Sequence, residues 1–205
     1  MAECIQYWNI KGMRYMKNFI QSIKQLIKKL FGKGLSAQES EFDYLLKQGL
    51  KVGKNLRNHS EYAFDSLFPW LITIGDNVCI SSNVKILAHD TSTEYVNGYT
   101  KIGIVDIGDN VYIGYNALIL CNVRIGSNVI IGAGSVVTTD IPEGTVYAGN
   151  PAKYICDIST FKEKHIENTK THSLFCGPCK KWHAMGNAEK ENMKEQLKDS
   201  FGYMK

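Results

Sequence analysis

The sequence has no run of apolar residues near the roughly 20 that a transmembrane helix requires. Its first residues also lack the uninterrupted apolar stretch of a secretory signal, because lysines break it repeatedly. Export is therefore not expected. A cysteine framework is missing too. The six cysteines (Cys4, Cys79, Cys121, Cys156, Cys176, Cys179) are scattered, unlike those of a small secreted domain, which points to a reducing, cytoplasmic setting. Charge of one sign is scarce: 24 basic against 20 acidic residues leave a net +4, too mild to argue for a nucleic-acid partner. The exception is local. Arg14, Lys17, Lys24, Lys28, Lys29 and Lys33 crowd a stretch with no acidic residue.

What the chain does have is a repeat. From Ile74 an aliphatic residue recurs every six positions, at Ile80 and Ile86, and the series resumes at Ile107, Ile113, Ile119, Ile125, Ile131 and Val137. Four residues after each stands a small or β-branched one: Val78, Val84, Val111, Ala117, Val123, Val129, Ser135. A period of six is neither the 3.6 of a helix nor the alternation of a hairpin strand. It suits short strands separated by tight turns, each strand sending one aliphatic side chain into a central column. Gly75-Asp76-Asn77 and Gly108-Asp109-Asn110 read as turns, where positive φ is often needed. A weaker coil precedes them, with Val52, Asn58 and Phe64 in register and a turn at Gly53-Lys54-Asn55.

Two insertions interrupt the repeat. One, at 67–73, contains Phe68-Pro69-Trp70; the longer one, 88–106, delays the next unit from Ser92 to Ile107. A loop extruded from a regular scaffold buries little and commonly carries function. The ends read as helical. Residues 14–31 have an apolar face backed by lysines, fitting either a membrane-surface helix or a cap on the coil stack. Residues 36–49 suggest a short helix opened by Ser36 and Glu39 as a capping box, and 187–199 a charged surface helix. This divides the chain into a helical region (1–50), a repeat domain (51–156) and a polar, helical extension (157–205).

His89 follows Ile86-Leu87-Ala88 and opens the long insertion, so it leaves a rigid coil where a substrate can reach it. Histidine suits abstraction of a proton from a hydroxyl near neutral pH. Its orienting group is a backbone carbonyl, Asp90 or Glu94. His59 reads as structural. His172, Cys176, Cys179 and His183 have ligand types that suit a structural zinc clip, and the same residues also read as coincidental cysteines in a variable tail.

The sequence resembles the hexapeptide-repeat acyltransferases, most of all O-acetyltransferases of the maltose/galactoside and polysaccharide-modifying kind. The likeness covers residues 52–156 and rests on Phe68-Pro69-Trp70-Leu71-Ile72, Ile86-Leu87-Ala88-His89-Asp90, Ile131-Gly132-Ala133-Gly134-Ser135-Val136-Val137 and Ala148-Gly149-Asn150-Pro151-Ala152-Lys153. It implies a mainly β fold, a left-handed parallel β-helix with terminal helices, and homotrimers with active sites between subunits. It also implies acetyl-CoA as donor, no catalytic metal, and direct transfer to a hydroxyl of a sugar or polysaccharide precursor with His89 as general base. The family pattern puts the backbone amide of Tyr115 at the oxyanion. Gly114, Ala133, Gly134, Thr138, Asn150, Pro151 and Lys153 fall along the coenzyme, while Thr139 and Cys156 depart from residues that are often basic in relatives. Asp65, Trp70, Asp90, Tyr95 and Tyr112, with the 91–105 loop and its Tyr99, are the expected acceptor contacts. Membrane-surface docking through 14–31 would suit a lipid-linked acceptor. Serine, an antibiotic, or a catalytically silent trimeric scaffold are the competing readings. A zinc hydratase on the same fold would need three histidines, and the repeat region offers only His59 and His89.

Overall fold

The computed structural model describes residues 40–60, 63–175 and 185–204; the basic segment 14–31, the Ser36–Glu39 pair and residues 176–183 lie outside the described residues. The first described helix is Glu41–Lys47. Ser40 opens it, its Oγ accepting the Asp43 amide at 3.1 Å, and so satisfies one of the N–H groups that a first turn leaves without a partner. Gly49 ends it at φ +103°, and the Leu50 amide turns back to the Leu45 carbonyl at 3.0 Å. Leu45–Lys205 forms one compact unit.

From Lys51 the chain steps through three parallel sheets in rotation, which makes them the three sides of a coil. The first side stacks Lys51–Val52, Ile72–Ile74, Val105–Ile107 and Val123–Ile125. The second stacks Arg57–Asn58, Cys79–Ile80, Tyr112–Ile113, Ile130–Ile131 and Thr145–Ala148. The third stacks Lys85–Ile86, Leu118–Ile119 and Val136–Val137. Each residue pairs with its counterpart one coil away: Val52 with Ile74, Ile74 with Ile107, Ile107 with Ile125. Asn58 pairs with Ile80 and Phe64 bridges to Ile86, so the weak leading coil does join the stack.

The six-residue series is the core. From Ile74 to Val137 none of its nine members is more than 3% exposed, and each buried aliphatic contributes about 1.5–3 kcal/mol. Ser135, the polar member of the second column, is fully buried but donates its hydroxyl to the Gly132 carbonyl at 2.7 Å.

The turns divide their work differently from the sequence expectation. Positive φ falls on asparagine: Asn55, Asn77, Asn83, Asn110, Asn116, Asn122 and Asn128 all lie between 56° and 63°. Gly75 and Gly108 are needed for close approach instead. A Cβ on Gly75 would lie 2.7 Å from the Gly108 carbonyl carbon of the next coil, and one on Gly108 would lie 2.7 Å from the Ser127 nitrogen. At these turns glycine lets the coils stack and asparagine bends them, while Gly134 takes the bending place itself at φ +68°.

The 88–106 insertion is a hairpin. Its stem pairs His89–Asp90 antiparallel with Lys101–Ile102, and its tip holds a 3-10 turn (Thr91–Thr93) and a short helix (Glu94–Asn97) ended by Gly98 at φ +74°. At the far end, Thr145–Ala148 reverses through a cis Asn150–Pro151 bond into the antiparallel strand Lys153–Asp157, and helix Ile158–Thr171 follows. The charged helix of the tail runs Asn187–Gln196. Around it lie two short strands that the sequence pattern does not announce, Ser173–Phe175 paired in parallel with Gly202–Met204. Aromatic contacts tie them to the preceding helix: His165 Nδ1 lies 2.8 Å from the Tyr203 hydroxyl, and His172 stacks on Phe201 at 4.2 Å. Among the described residues no helix is long and apolar enough to cross a membrane.

Candidate active site

Where side three ends, the chain turns at Leu87-Ala88 and sends out the hairpin, so His89 stands at the third corner of its coil. One coil earlier, Phe64 pairs beside Ile86 and the next residue is Asp65, whose amide donates to the Ile86 carbonyl at 2.9 Å. This register lays Asp65 alongside Ala88 and His89. Its carboxylate is 4% exposed and fully engaged. Oδ1 accepts the amides of Leu67 (2.9 Å) and Phe68 (3.3 Å). Oδ2 accepts the Ala88 amide (2.8 Å) and His89 Nδ1–H. Burial pushes the Asp65 carboxyl upward, but the bonds from His89, Leu67 and Ala88 outweigh that and hold its pKa below the ordinary carboxylate value. The ring of Phe68, 5.5 Å from the imidazole and tilted 54° to it, walls the other side.

With Nδ1–H given to Asp65, the lone pair of His89 is on Nε2. The residue is partly exposed and lines a cavity of about 320 Å³ with Leu87, Asp90, Thr91, Lys101, Leu120, Cys121 and Thr138. An imidazole held through one nitrogen, in a residue that lines such a space, is the arrangement general-base catalysis needs.

The structure assigns the orienting role differently from the sequence expectation. Asp65, expected among acceptor contacts, sits behind the ring with both oxygens occupied. Asp90 and Glu94, expected as orienters, turn into the hairpin: Asp90 Oδ1 accepts the Ser92 amide at 2.9 Å, and Glu94 takes the Thr100 hydroxyl. The hydrogen bonds from Ser92, and then the charge of Lys101, hold the Asp90 carboxyl below its ordinary range. Trp70 is half-exposed and reaches His89 only through Phe68, ring centroids 5.6 Å apart. Tyr95 (97% exposed) and Tyr99 project from the hairpin tip, away from the cavity lining. Tyr112 lies on the outer face of side two, its hydroxyl 3.1 Å from Ser81 Oγ.

Of the residues expected along a coenzyme, Thr138 shares the cavity with His89. The others gather elsewhere. Gly114, Tyr115, Ala133 and Gly134 stack at the second corner, where the Gly134 amide donates to the Tyr115 carbonyl at 2.8 Å and a Cβ on Gly114 would lie 2.5 Å from the Ala133 nitrogen. Asn150 and Pro151 extend that row, with the Gly149 amide on Ser135 Oγ at 3.2 Å, and Lys153 opens the reversing strand beyond. Tyr115 and Cys121 are six residues apart along one side, at most about 20 Å at about 3.3 Å per residue. Within one chain the Tyr115 amide is thus a full coil side from the cavity of His89.

Sequence reasoning passed over Lys101 and Cys121, which line the cavity, and the Asp65–His89 pair. A residue one place beyond the register residue Phe64, beside the His-bearing corner, was the available signal for Asp65. The zinc reading has one member within the described residues, His172, whose Nδ1 lies 3.0 Å from the Asn168 carbonyl; among the described residues no metal-binding group forms.

The family of bacterial transferase hexapeptide repeats (six repeats) matches residues 105–139. A putative acetyltransferase of Bacillus subtilis, YvoF, is 38% identical over 56% of this chain, which spans just under two thirds (64%) of that protein's length. Galactoside O-acetyltransferase of Escherichia coli is 32% identical over 80% of this chain and 86% of its own. A solved structure of a galactoside acetyltransferase in complex with coenzyme A aligns with 68% of this chain and 80% of its own, at 29% identity and a TM-score of 0.48. Likeness of that extent to the E. coli enzyme, in a chain built from six-residue steps, means that this protein belongs to the hexapeptide-repeat acetyltransferases.

Proposed function

We propose that this protein acetylates a hydroxyl of a sugar or polysaccharide precursor, by direct transfer from acetyl-CoA with His89 as general base. The observation that carries the reading is the imidazole at the third corner, bound through Nδ1 to buried Asp65 in a residue that lines a cavity. His89 Nε2 takes the acceptor's hydroxyl proton as the oxygen attacks the thioester carbonyl carbon. The C–S bond of the resulting tetrahedral intermediate then breaks, and the sulfur leaves as thiolate. The imidazolium returns its proton to that thiolate, giving free coenzyme and the acetyl ester. Asp65 fixes the tautomer and stabilises the transient imidazolium, a positioning role. No acyl-enzyme is needed, since a thioester is already an activated donor.

The intermediate's negative charge needs an oriented N–H, and the Tyr115 amide supplies it. Because the second and third corners of one chain are a coil side apart, that amide comes from a neighbouring copy. This supports a homotrimer of left-handed β-helices with clefts between subunits. The coenzyme lies along the row Gly114, Ala133, Gly134, Asn150, Pro151 of one copy, with Thr138 at the base's side and Lys153 toward the phosphates. Asp90, which lines the cavity with His89, borders the acceptor's approach. Residues 51–156 form the catalytic domain, flanked by 1–50 and 157–205, and the reaction belongs in the cytoplasm, where its donor is made.

A thiol-release assay with acetyl-CoA and a panel of sugars tests this. Free thiol appearing only with a hydroxyl acceptor, and lost in His89→Ala, is the expected result. Turnover that survives the substitution overturns it.

A further inference from the structure

Among the residues lining the His89 cavity, Lys101 is the one permanent cation. Its backbone is held firmly. It pairs with Asp90 across the hairpin stem, and its amide donates to Thr93 Oγ1 at 3.0 Å, a hydroxyl that in turn donates to the Tyr99 carbonyl at 2.6 Å. Residues directly opposite across an antiparallel pair project to the same face, so Lys101 and Asp90 would be natural ion-pair partners. They form no pair within 4 Å: Asp90 caps the 3-10 turn through Ser92, and among the described residues no carboxylate closes on the Lys101 ammonium. Asp65, the other carboxylate near the cavity, is spent on His89 and backbone amides.

An ammonium on a firmly held backbone beside the general base, with no carboxylate at ion-pair distance among the described residues, is suited to an anionic group on whatever lies against that base. The donor's phosphates are poor candidates. The pantetheine arm separates them from the sulfur by a long chain, and the sulfur must lie near His89, so phosphates and base occupy opposite ends of the coenzyme. The acceptor remains. We infer that Lys101 selects an acceptor bearing a carboxylate or phosphate close to the hydroxyl that is acetylated, so that an acidic sugar is preferred to its neutral counterpart. This rests on the acetyl-transfer reading above and adds the charge class of the acceptor. The Lys101 ammonium binds the anion while the Asp90 carboxylate, paired with it across the stem, accepts from a neighbouring hydroxyl. The two charges at the stem then read the acceptor at two points and fix which hydroxyl meets Nε2.

The test compares methyl glucoside, glucuronate and glucose 6-phosphate as acceptors for the wild type and for Lys101→Gln, which removes the charge from an exposed side chain and keeps the hairpin stem. Thiol release and calorimetric binding to the coenzyme-loaded protein are followed in parallel. In the wild type kcat/KM should be higher for at least one acidic sugar than for methyl glucoside, by about tenfold or more, the size of a hydrogen bond to a charged group. Lys101→Gln should erase that advantage, chiefly through acceptor KM, and leave the neutral glycoside and the KM for acetyl-CoA unchanged. Equal loss for all three acceptors would mean Lys101 only balances Asp90, and a raised KM for acetyl-CoA would mean that it reads the donor; either overturns the inference. Turnover of the neutral glycoside alone, indifferent to the substitution, keeps acetyl transfer and discards the anion site. Binding of an acidic sugar that depends on Lys101 but gives no thiol keeps the anion site and discards acetyl transfer. Neither binding nor turnover with any of the three removes both.

Discussion

The first and third corners of the coil are built from the same six-residue step and do opposite things. At the first corner every coil repeats its neighbour. The Lys54 amide donates to Asp76 Oδ1 (2.7 Å), the Asp76 amide to Asp109 Oδ1 (2.6 Å) and the Asp109 amide to Ser127 Oγ (3.0 Å). Beside them Asn55 reaches Asn77 at 2.9 Å, and Asn77 reaches Asn110 at 3.2 Å. These side chains point along the stack. At the third corner the repetition is broken by both insertions, 67–73 and the 88–106 hairpin, and the buried carboxylate of Asp65 takes an imidazole as well as the Ala88 amide of the next coil's turn. A repeat fold can thus hold itself together at one corner and carry out chemistry at another, because each corner contacts only its equivalents above and below.

If that division holds, substitutions at the two corners should separate activity from stability. The largest effect is expected for His89→Ala: kcat falls by about 10²–10⁴-fold in the thiol-release assay while the thermal unfolding midpoint drops only by what the buried Asp65 carboxylate loses with one of its four hydrogen bonds. A matching loss of stability would place His89 in the framework. Asp65→Ala should damage both, since it strands the amides of Leu67, Phe68 and Ala88 as well as the ring. Denaturant unfolding should show a loss of at least about 1–3 kcal/mol, the cost of leaving the buried Ala88 amide without a partner, together with a drop in kcat. Gly108→Ala at the first corner should lower stability by about 1–3 kcal/mol through overpacking against Ser127 and Gly126, with the folded protein fully active. Reduced kcat at unchanged stability would break the comparison from the other side. Asn110→Ala, which puts alanine at φ 56°, should be milder, about 1 kcal/mol. The smallest effect concerns pH. Asp65 has its folded pKa lowered from 3.8, so its ionised form stabilises the fold above that value, and the contribution is lost as pH falls through the folded pKa. The stability advantage of wild type over Asp65→Asn should therefore be full at neutral pH and shrink below about pH 4.

Much of this was readable from the chain. A strict period reports which face and which column a side chain joins, so Ile74 through Val137 could be assigned to the interior directly, and the missed beat at Ser92 exposed the hairpin and the histidine at its root. What the period cannot report is contact between coils whose separation is altered by insertions. Asp65 meets His89 across 24 residues, including the insertion at 67–73, and neither carboxylate nearer in sequence turns toward the ring. Lys101 enters the cavity only because the hairpin stem pairs it with Asp90. Nor could composition tell which member of a Gly-Asp-Asn turn bends and which yields space, since both residues tolerate the left-handed region and only the neighbouring coil decides. The same holds for Tyr115: its place in the motif was evident, but its distance from the base depends on the width of a coil side.

The reversing strand Lys153–Asp157 has a meaning beyond its place in the sheet. A stack of parallel strands presents at its end the same unpaired N–H and C=O row that its own interior uses, an invitation for another molecule to dock end to end and lengthen into a fibre. Here the chain folds back antiparallel over Thr145–Ala148, and the Gly149 carbonyl and Ala152 amide clasp the last strand of side three through Val136. At this end of the stack the place of a further parallel coil is taken by the molecule's own backbone, running the other way.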